Sequence, residues 1–165
     1  CICYNKNVFD IIILIKMRLI KDMIHIIAGG KKHLDWVNIA VSEYQKRLKK
    51  PFNIEWELIE EEKLNQYLAK WPFSGQQYVI LLDERGKNLS SPELSGILSQ
   101  QFVNSREVVI IIGGAFGVSE EIRQKSNLVW SLSRLVFPHQ LVRAILAEQV
   151  YRAQEIWNGG KYHHM

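Results

Sequence analysis

The residues best suited to chemistry lie in two turns and a helix in the last third of the chain. Val108–Ile112 is an apolar run rich in β-branched side chains, as a strand buried on both faces requires, and it stops at Gly113-Gly114. Paired glycines let main chain approach a ligand closely, and they serve a tight turn equally well. A second turn, Leu132 to Phe137, precedes Pro138, which opens the longest helical pattern in the chain. The arrangement invites a dinucleotide-binding reading, but that reading fails. The fingerprint G-x-G-x-x-G follows a first strand and is answered by an acidic residue about 20 positions on. Here the order is G-G-x-x-G, it follows a late strand, and no carboxylate lies between Leu132 and Phe137. Near the C-terminus His163 and His164 are adjacent without a third ligand at zinc spacing, so no metal is expected.

The elements that must position these turns alternate between two periodicities, one of two residues and one of 3.6, as strands and helices do around a largely parallel sheet. A first strand, MIHIIA, ends at Gly29-Gly30, and a helix follows with Val37, Val41, Tyr44 and Leu48 on one face. Ile54, Trp56 and Leu58 alternate with Glu55 and Glu57, which predicts a half-exposed strand towards an edge. A short helix carries Leu64, Tyr67, Leu68 and Trp71. YVILLD is the third strand, ending in the turn ERGKNLSS, and Ser91-Pro92 starts a helix with Leu94, Ile97, Leu98 and Phe102. After the fourth strand come a short helix near Ser119–Ser126, a fifth strand near Val129–Leu132, and the last helix with Val142, Leu146, Val150, Ala153 and Trp157 in its stripe. The expected fold class is α/β, a mostly parallel five- to six-stranded sheet with helices on both faces. Ligands of such sheets bind beyond the carboxyl ends of the strands, which selects three loops, Asp83–Ser91, Gly113–Val118 and Leu132–His139, each after a strand expected to be central.

With 165 residues and 47% hydrophobic content the chain is long enough for one domain with a full core. A net charge of +4 permits a polyanionic partner without demanding one. Both cysteines, Cys1 and Cys3, are at the N-terminal edge, so the body of the protein carries neither a disulfide framework nor a thiol nucleophile, as suits a reducing, cytoplasmic setting. Residues 1–16 differ in texture from the rest and are read as an upstream or non-native extension, with the domain spanning 17–165 and starting at Met17 or Met23. The apolar run Ile11–Ile15 is too short to span a bilayer, so no membrane segment is expected. No internal repeat or linker interrupts the rest.

LLDERGK, IIIGGAFG, LSRLVFPHQLVRAILAEQVYRA and the terminal YHH occur in one order, and with them the chain resembles the bacterial large-subunit ribosomal RNA pseudouridine N3-methyltransferases of the SPOUT class, from about Met23 to the C-terminus. The resemblance implies a C-terminal trefoil knot, which ordinary connection rules would exclude, and S-adenosylmethionine as cofactor. Carried over by position, the cofactor contacts are Leu82, Gly113 and the turn Leu132, Ser133, Arg134, Leu135, Val136 and Phe137. Leu82, Ile112, Leu135 and Phe137 would supply apolar walls while main chain holds the adenine.

The implied reaction is methylation of N3 of a pseudouridine in the helix 69 stem-loop of 23S rRNA in assembled ribosomes. A weakly acidic imide needs a base or a stabilised anion. The candidates are His139, Arg143, Tyr162 and His163, with Arg143 best placed to favour the imidate or hold a phosphate. His139, following Pro138, also suits a helix cap, and Glu148 at i,i+4 makes Arg152 a structural partner. A homodimer is implied, with the small-residue side Ala144, Ala147 and Ala153 as its expected surface. Lys31, Lys32, His33, Lys46, Arg47, Lys49 and Lys50 form a basic margin suited to phosphates, or simply close helices. Two other readings stay open: a SPOUT enzyme acting on transfer RNA, and a non-catalytic ribosome- or RNA-binding module.

Overall fold

β1 (Ile24–Gly29) and β4 (Glu107–Ile112) are buried along almost their whole length, which only cover on both faces allows. In this computed structural model, which describes residues 23–114 and 117–162, they form the centre of a five-stranded sheet. The order is β2-β1-β4-β3-β5, with β2 at Ile54–Ile59, β3 at Gln77–Asn88 and β5 at Leu128–Ser131, and every neighbouring pair is parallel. Residues 1–22 and His163 lie outside the described residues, and with them the expectations for the N-terminal extension and for that histidine.

Alternation of side chains divides the core in two. Ile24, Ile26 and Ala28 of β1, with Val108, Ile110 and Ile112 of β4, meet Leu94 and Leu98 of α3 (Ser91–Val103) and Leu146, Val150 and Ala153 of α5 (His139–Trp157). Val37 and Val41 of α1 (Asp35–Gln45) pack on Ala147 of α5 on the same side. On the other face Ile27, Val109 and Ile111 meet Leu64 and Leu68 of α2 (Glu61–Ala69) and Ile122 of α4 (Glu120–Lys125). Each fully buried leucine contributes about 2 kcal/mol. Local signals place the helices: Ser90 caps α3 in a reciprocal box, its hydroxyl accepting from the Glu93 amide while the Glu93 carboxylate accepts from the Ser90 amide at 2.7 Å.

Four sequence expectations need correction. β3 does not end at Asp83 but continues to Asn88, because its pairing with β5 shifts register between Leu82 and Lys87, both opposite Trp130. Gly86 makes that possible: a Cβ there would lie 2.6 Å from the Val129 carbonyl oxygen. β5 is an edge strand, so the third loop follows an edge and not a central strand. Glu57 does not face solvent; it is buried with an oxygen 3.0 Å from His25 Nε2. Finally, Ala147 and Ala153 are fully buried within the chain, the latter's carbonyl accepting from Ser95 Oγ at 2.8 Å, so they cannot meet a second copy.

Candidate functional site

The carboxyl ends of β3, β4 and β5 converge on a cavity of about 550 Å³, closed on one side by the first turn of α5. That volume is within the range of small-molecule sites. Leu82, Gly113, Leu132, Ser133, Leu135, Val136 and Phe137 all line it, as does His139. Arg134 is not among the lining residues and is exposed.

Each wall has a local cause. After β4 the Gly117 amide donates to the Gly114 carbonyl at 2.9 Å, and Gly117 has φ of 68°. A Cβ on Gly113 would stand 3.1 Å from Gly117 Cα, so this glycine serves the turn itself. After β5 the serines hold their own turn. Ser131 Oγ donates to the Ser133 carbonyl at 2.6 Å, and the Leu135 amide donates to Ser133 Oγ at 3.0 Å. Asn88 Nδ2 ties that turn to the end of β3 by donating to the Ser131 carbonyl at 3.1 Å. Leu135 and Val136 then stand 69% and 76% exposed at the rim.

The third wall is charged. Asp83 is only 14% exposed and ion-pairs with Arg123 of α4 and Arg85. Burial works against its ionisation, but hydrogen bonds from Arg85 and Arg123 outweigh that and hold the carboxyl down at about 2. Glu84 beside it is exposed and lines the same cavity.

Of the four predicted catalytic side chains His163 lies outside the described residues, and the other three do not meet at the cavity. His139 is the first residue of α5; Pro138 stands at the cap position, and no side chain caps the helix. Its Nε2 lies 3.4 Å from Glu61 Oε1. Arg143, one turn on, is completely buried and does not line the cavity. Its guanidinium donates to the carbonyls of Gly29 and Lys32, the latter at 2.9 Å, and lies 3.3 Å from His33 Nδ1. Burial lowers the Arg143 pKa while Glu61 opposes the shift; burial and then Arg143 lower that of His33, favouring a neutral ring that can accept. Held this way, Arg143 joins α5 to the loop after β1 and presents no free fork to a phosphate.

Tyr162 lies beyond the end of α5 and packs back against that helix. Its hydroxyl is 3.4 Å from Glu148 Oε1, its ring meets Tyr151, and the Arg152 guanidinium lies over it at 4.8 Å. Burial, then Tyr44 and Glu148, push its phenol up to about 12. Arg152 makes the expected i,i+4 bond to Glu148, at 2.6 Å. In the basic margin, Lys31 pairs with Glu60 at 3.2 Å, Arg47 pairs with Glu43, and His33 meets the Trp56 ring edge-on.

Glu61 is the site residue that sequence reasoning missed. In the run Glu60-Glu61-Glu62 it reads as the solvated acidic start of a helix, and only the meeting of α2, β4 and α5 distinguishes it from its neighbours. Among the described residues no group of histidine, cysteine or carboxylate side chains could hold a metal ion, and no helix is long and apolar enough to cross a membrane.

Comparison with known proteins gives a concordant picture. Residues 23–163 match a family model described as "Predicted SPOUT methyltransferase". The chain is 38% identical over 154 residues to "Ribosomal RNA large subunit methyltransferase H" of Thioalkalivibrio sulfidiphilus, covering 85% of this chain and 97% of that one. The protein of the same name from Caldicellulosiruptor saccharolyticus is 36% identical, with 86% and 99% covered. Among solved structures, a probable methylase family protein from Haemophilus influenzae superposes with a TM-score of 0.54 at 12% identity, over 86% of this chain and 70% of that one, a likeness of fold.

Proposed function

The chain belongs to the SPOUT methyltransferase family, and from that premise we propose that it transfers a methyl group from S-adenosylmethionine to large-subunit ribosomal RNA, at N3 of a pseudouridine in the helix 69 stem-loop. The observation that carries this reading is the single cavity lined by Leu82, Gly113 and the Leu132–Phe137 turn. Its residues suit the cofactor: apolar walls from Leu82, Ile112 and Phe137 for a base, a glycine turn for close main-chain approach, and the Glu84 carboxylate for a cation. When bound, the cofactor supplies an electrophilic methyl group on a positively charged sulfur.

The protein's own part is to align the two reactants and accept the imide proton. His139 is the group at the cavity to take that proton. Arg143 holds the loop after β1 in place. Tyr162 and His163 belong to the same proposal as further candidates for the chemical step, and Arg152 is the structural partner of Glu148. The carboxyl-terminal trefoil knot, cytoplasmic location and homodimeric state belong to the same proposal. A second copy would cover Leu34, Trp36 and Ile39, which are 46%, 50% and 72% exposed and stand where α1 meets α5 through the Leu34 amide and Gln140.

Calorimetry with S-adenosylmethionine and S-adenosylhomocysteine tests the cofactor, and absence of binding at millimolar ligand removes the reading. Methyl transfer is then compared on ribosomes from a strain lacking the modification and on bulk transfer RNA. Turnover on ribosomes is expected. Turnover on transfer RNA alone moves the target, and ribosome binding without turnover reduces the protein to an RNA-binding module.

A further inference from the structure

Glu61 stands where three elements meet. It is the first residue of α2, and its side chain lies against Gly114 at the end of β4, so close that a Cβ on Gly114 would be 3.1 Å from Glu61 Cγ and 3.2 Å from Cδ. Its Oε1 then reaches to 3.4 Å from His139 Nε2 at the start of α5. A side chain at 114 would displace the carboxylate, so the second glycine of the pair has a use that the turn alone does not explain. Both partners keep contact with water, 27% for Glu61 and 31% for His139. Of the two, only His139 lines the cavity.

The charges around the ring are unequal. His139 sits at the amino end of a 19-residue helix, where the partial positive charge of the helix opposes an imidazolium. Arg143 one turn on adds a fixed positive charge on the same side, with His33 beyond it. Across the cavity Asp83 is bound by Arg123 and Arg85, while Glu84 is exposed. Glu61, itself at the amino end of α2 where a negative charge is favoured, is the carboxylate in ion-pair reach of the imidazole.

We propose that Glu61 is a positioning residue for proton removal: it holds the Nε2–H of His139, leaving Nδ1 to accept the imide proton of the RNA base. The inference rests on the methyl-transfer reading above. In the step the N3–H bond breaks, its electron pair stays on N3, and the proton bonds to His139 Nδ1. The resulting imidazolium is stabilised by the Glu61 carboxylate, as carboxylates do for histidine bases on unrelated folds.

The test uses the full chain with Glu61→Gln, Glu61→Asp and His139→Gln. Proton-detected nitrogen NMR of the His139 ring should show the Nε2–H tautomer, and Glu61→Gln should weaken that preference so that both ring tautomers are populated. Single-turnover methyl transfer to undermethylated ribosomes should fall at least ~10-fold in Glu61→Gln, with KM for ribosomes and cofactor affinity unchanged. Glu61→Asp should recover part of the rate, and the deficit should shrink at high pH as the imide ionises without help. Should Glu61→Gln fail to fold, Glu61→Asp provides the same readouts. Wild-type rates and an unchanged His139 ring tautomer in the Glu61 variants overturn the inference while leaving methyl transfer intact. A wild-type protein that binds no cofactor and methylates neither RNA fails the parent reading instead.

Discussion

Arg143, in the first turns of α5, donates a hydrogen bond to the carbonyl of Gly29 at the carboxyl end of β1. A completely buried guanidinium thereby fastens the helix that borders the cavity to the central strand. Replacing it with methionine keeps the apolar stem but strands the carbonyls of Gly29 and Lys32. The expected cost is about 3 kcal/mol, read as a lower urea midpoint at unchanged slope. Arg143→Lys should recover little, since one ammonium cannot span both carbonyls and His33 Nδ1.

Acid should weaken the wall formed by β3 and α4. Asp83 is held at about 2 against an ordinary 3.8, so its folded-state value is depressed. Its stabilising contribution is therefore complete above about pH 4 and is lost as pH falls towards 2. With the side chain partly solvated, the loss is about 1–2 kcal/mol. Asp83→Asn should be less stable than wild type at pH 7 and nearly equal to it at pH 2 in denaturation series across that window.

Two glycine-to-alanine substitutions should act in opposite directions. At Gly86 the new methyl would press on main-chain atoms of Val129 and Trp130 within 2.7 Å, which cannot swing aside, so a loss of about 2–3 kcal/mol is expected. Gly96 lies inside α3 with nothing within 4 Å of an added Cβ. Alanine there should stabilise by about 0.5–1 kcal/mol. Thermal melts of both variants beside wild type check the contrast.

Ile39 is the most exposed of the α1 apolar residues. If a second copy covers it, Ile39→Asp should shift the protein from dimer to monomer in light scattering while leaving far-ultraviolet dichroism unchanged. A dimer unaffected by this change would place the interface elsewhere.

Much of the scaffold was legible residue by residue. Val108–Ile112 suits a strand covered on both faces, which it is, and the 3.6-residue stripe Leu146, Val150, Ala153 marks the buried side of α5. The turns at Gly113 and Leu132–Phe137 were found because glycine pairs and a proline-bounded break are local signals. The corrections arose where a partner overrode the local pattern. Glu57 alternates like a solvent-facing residue but is buried beside His25, and the ERGK stretch reads as a turn although pairing with Trp130 and Ser131 carries β3 through to Asn88.

Periodicity and turn chemistry are properties of neighbouring residues, and they determined that this chain forms an α/β sheet with a set of loops at one end. Which side chains meet at that end depends on contacts between residues far apart in the chain, and no short-range pattern encodes those. Arg143 was an evident cation, yet only the packing of α5 against β1 made it a buried clamp. Glu61 was one acid among three, and only the space left by Gly114 brought it to His139.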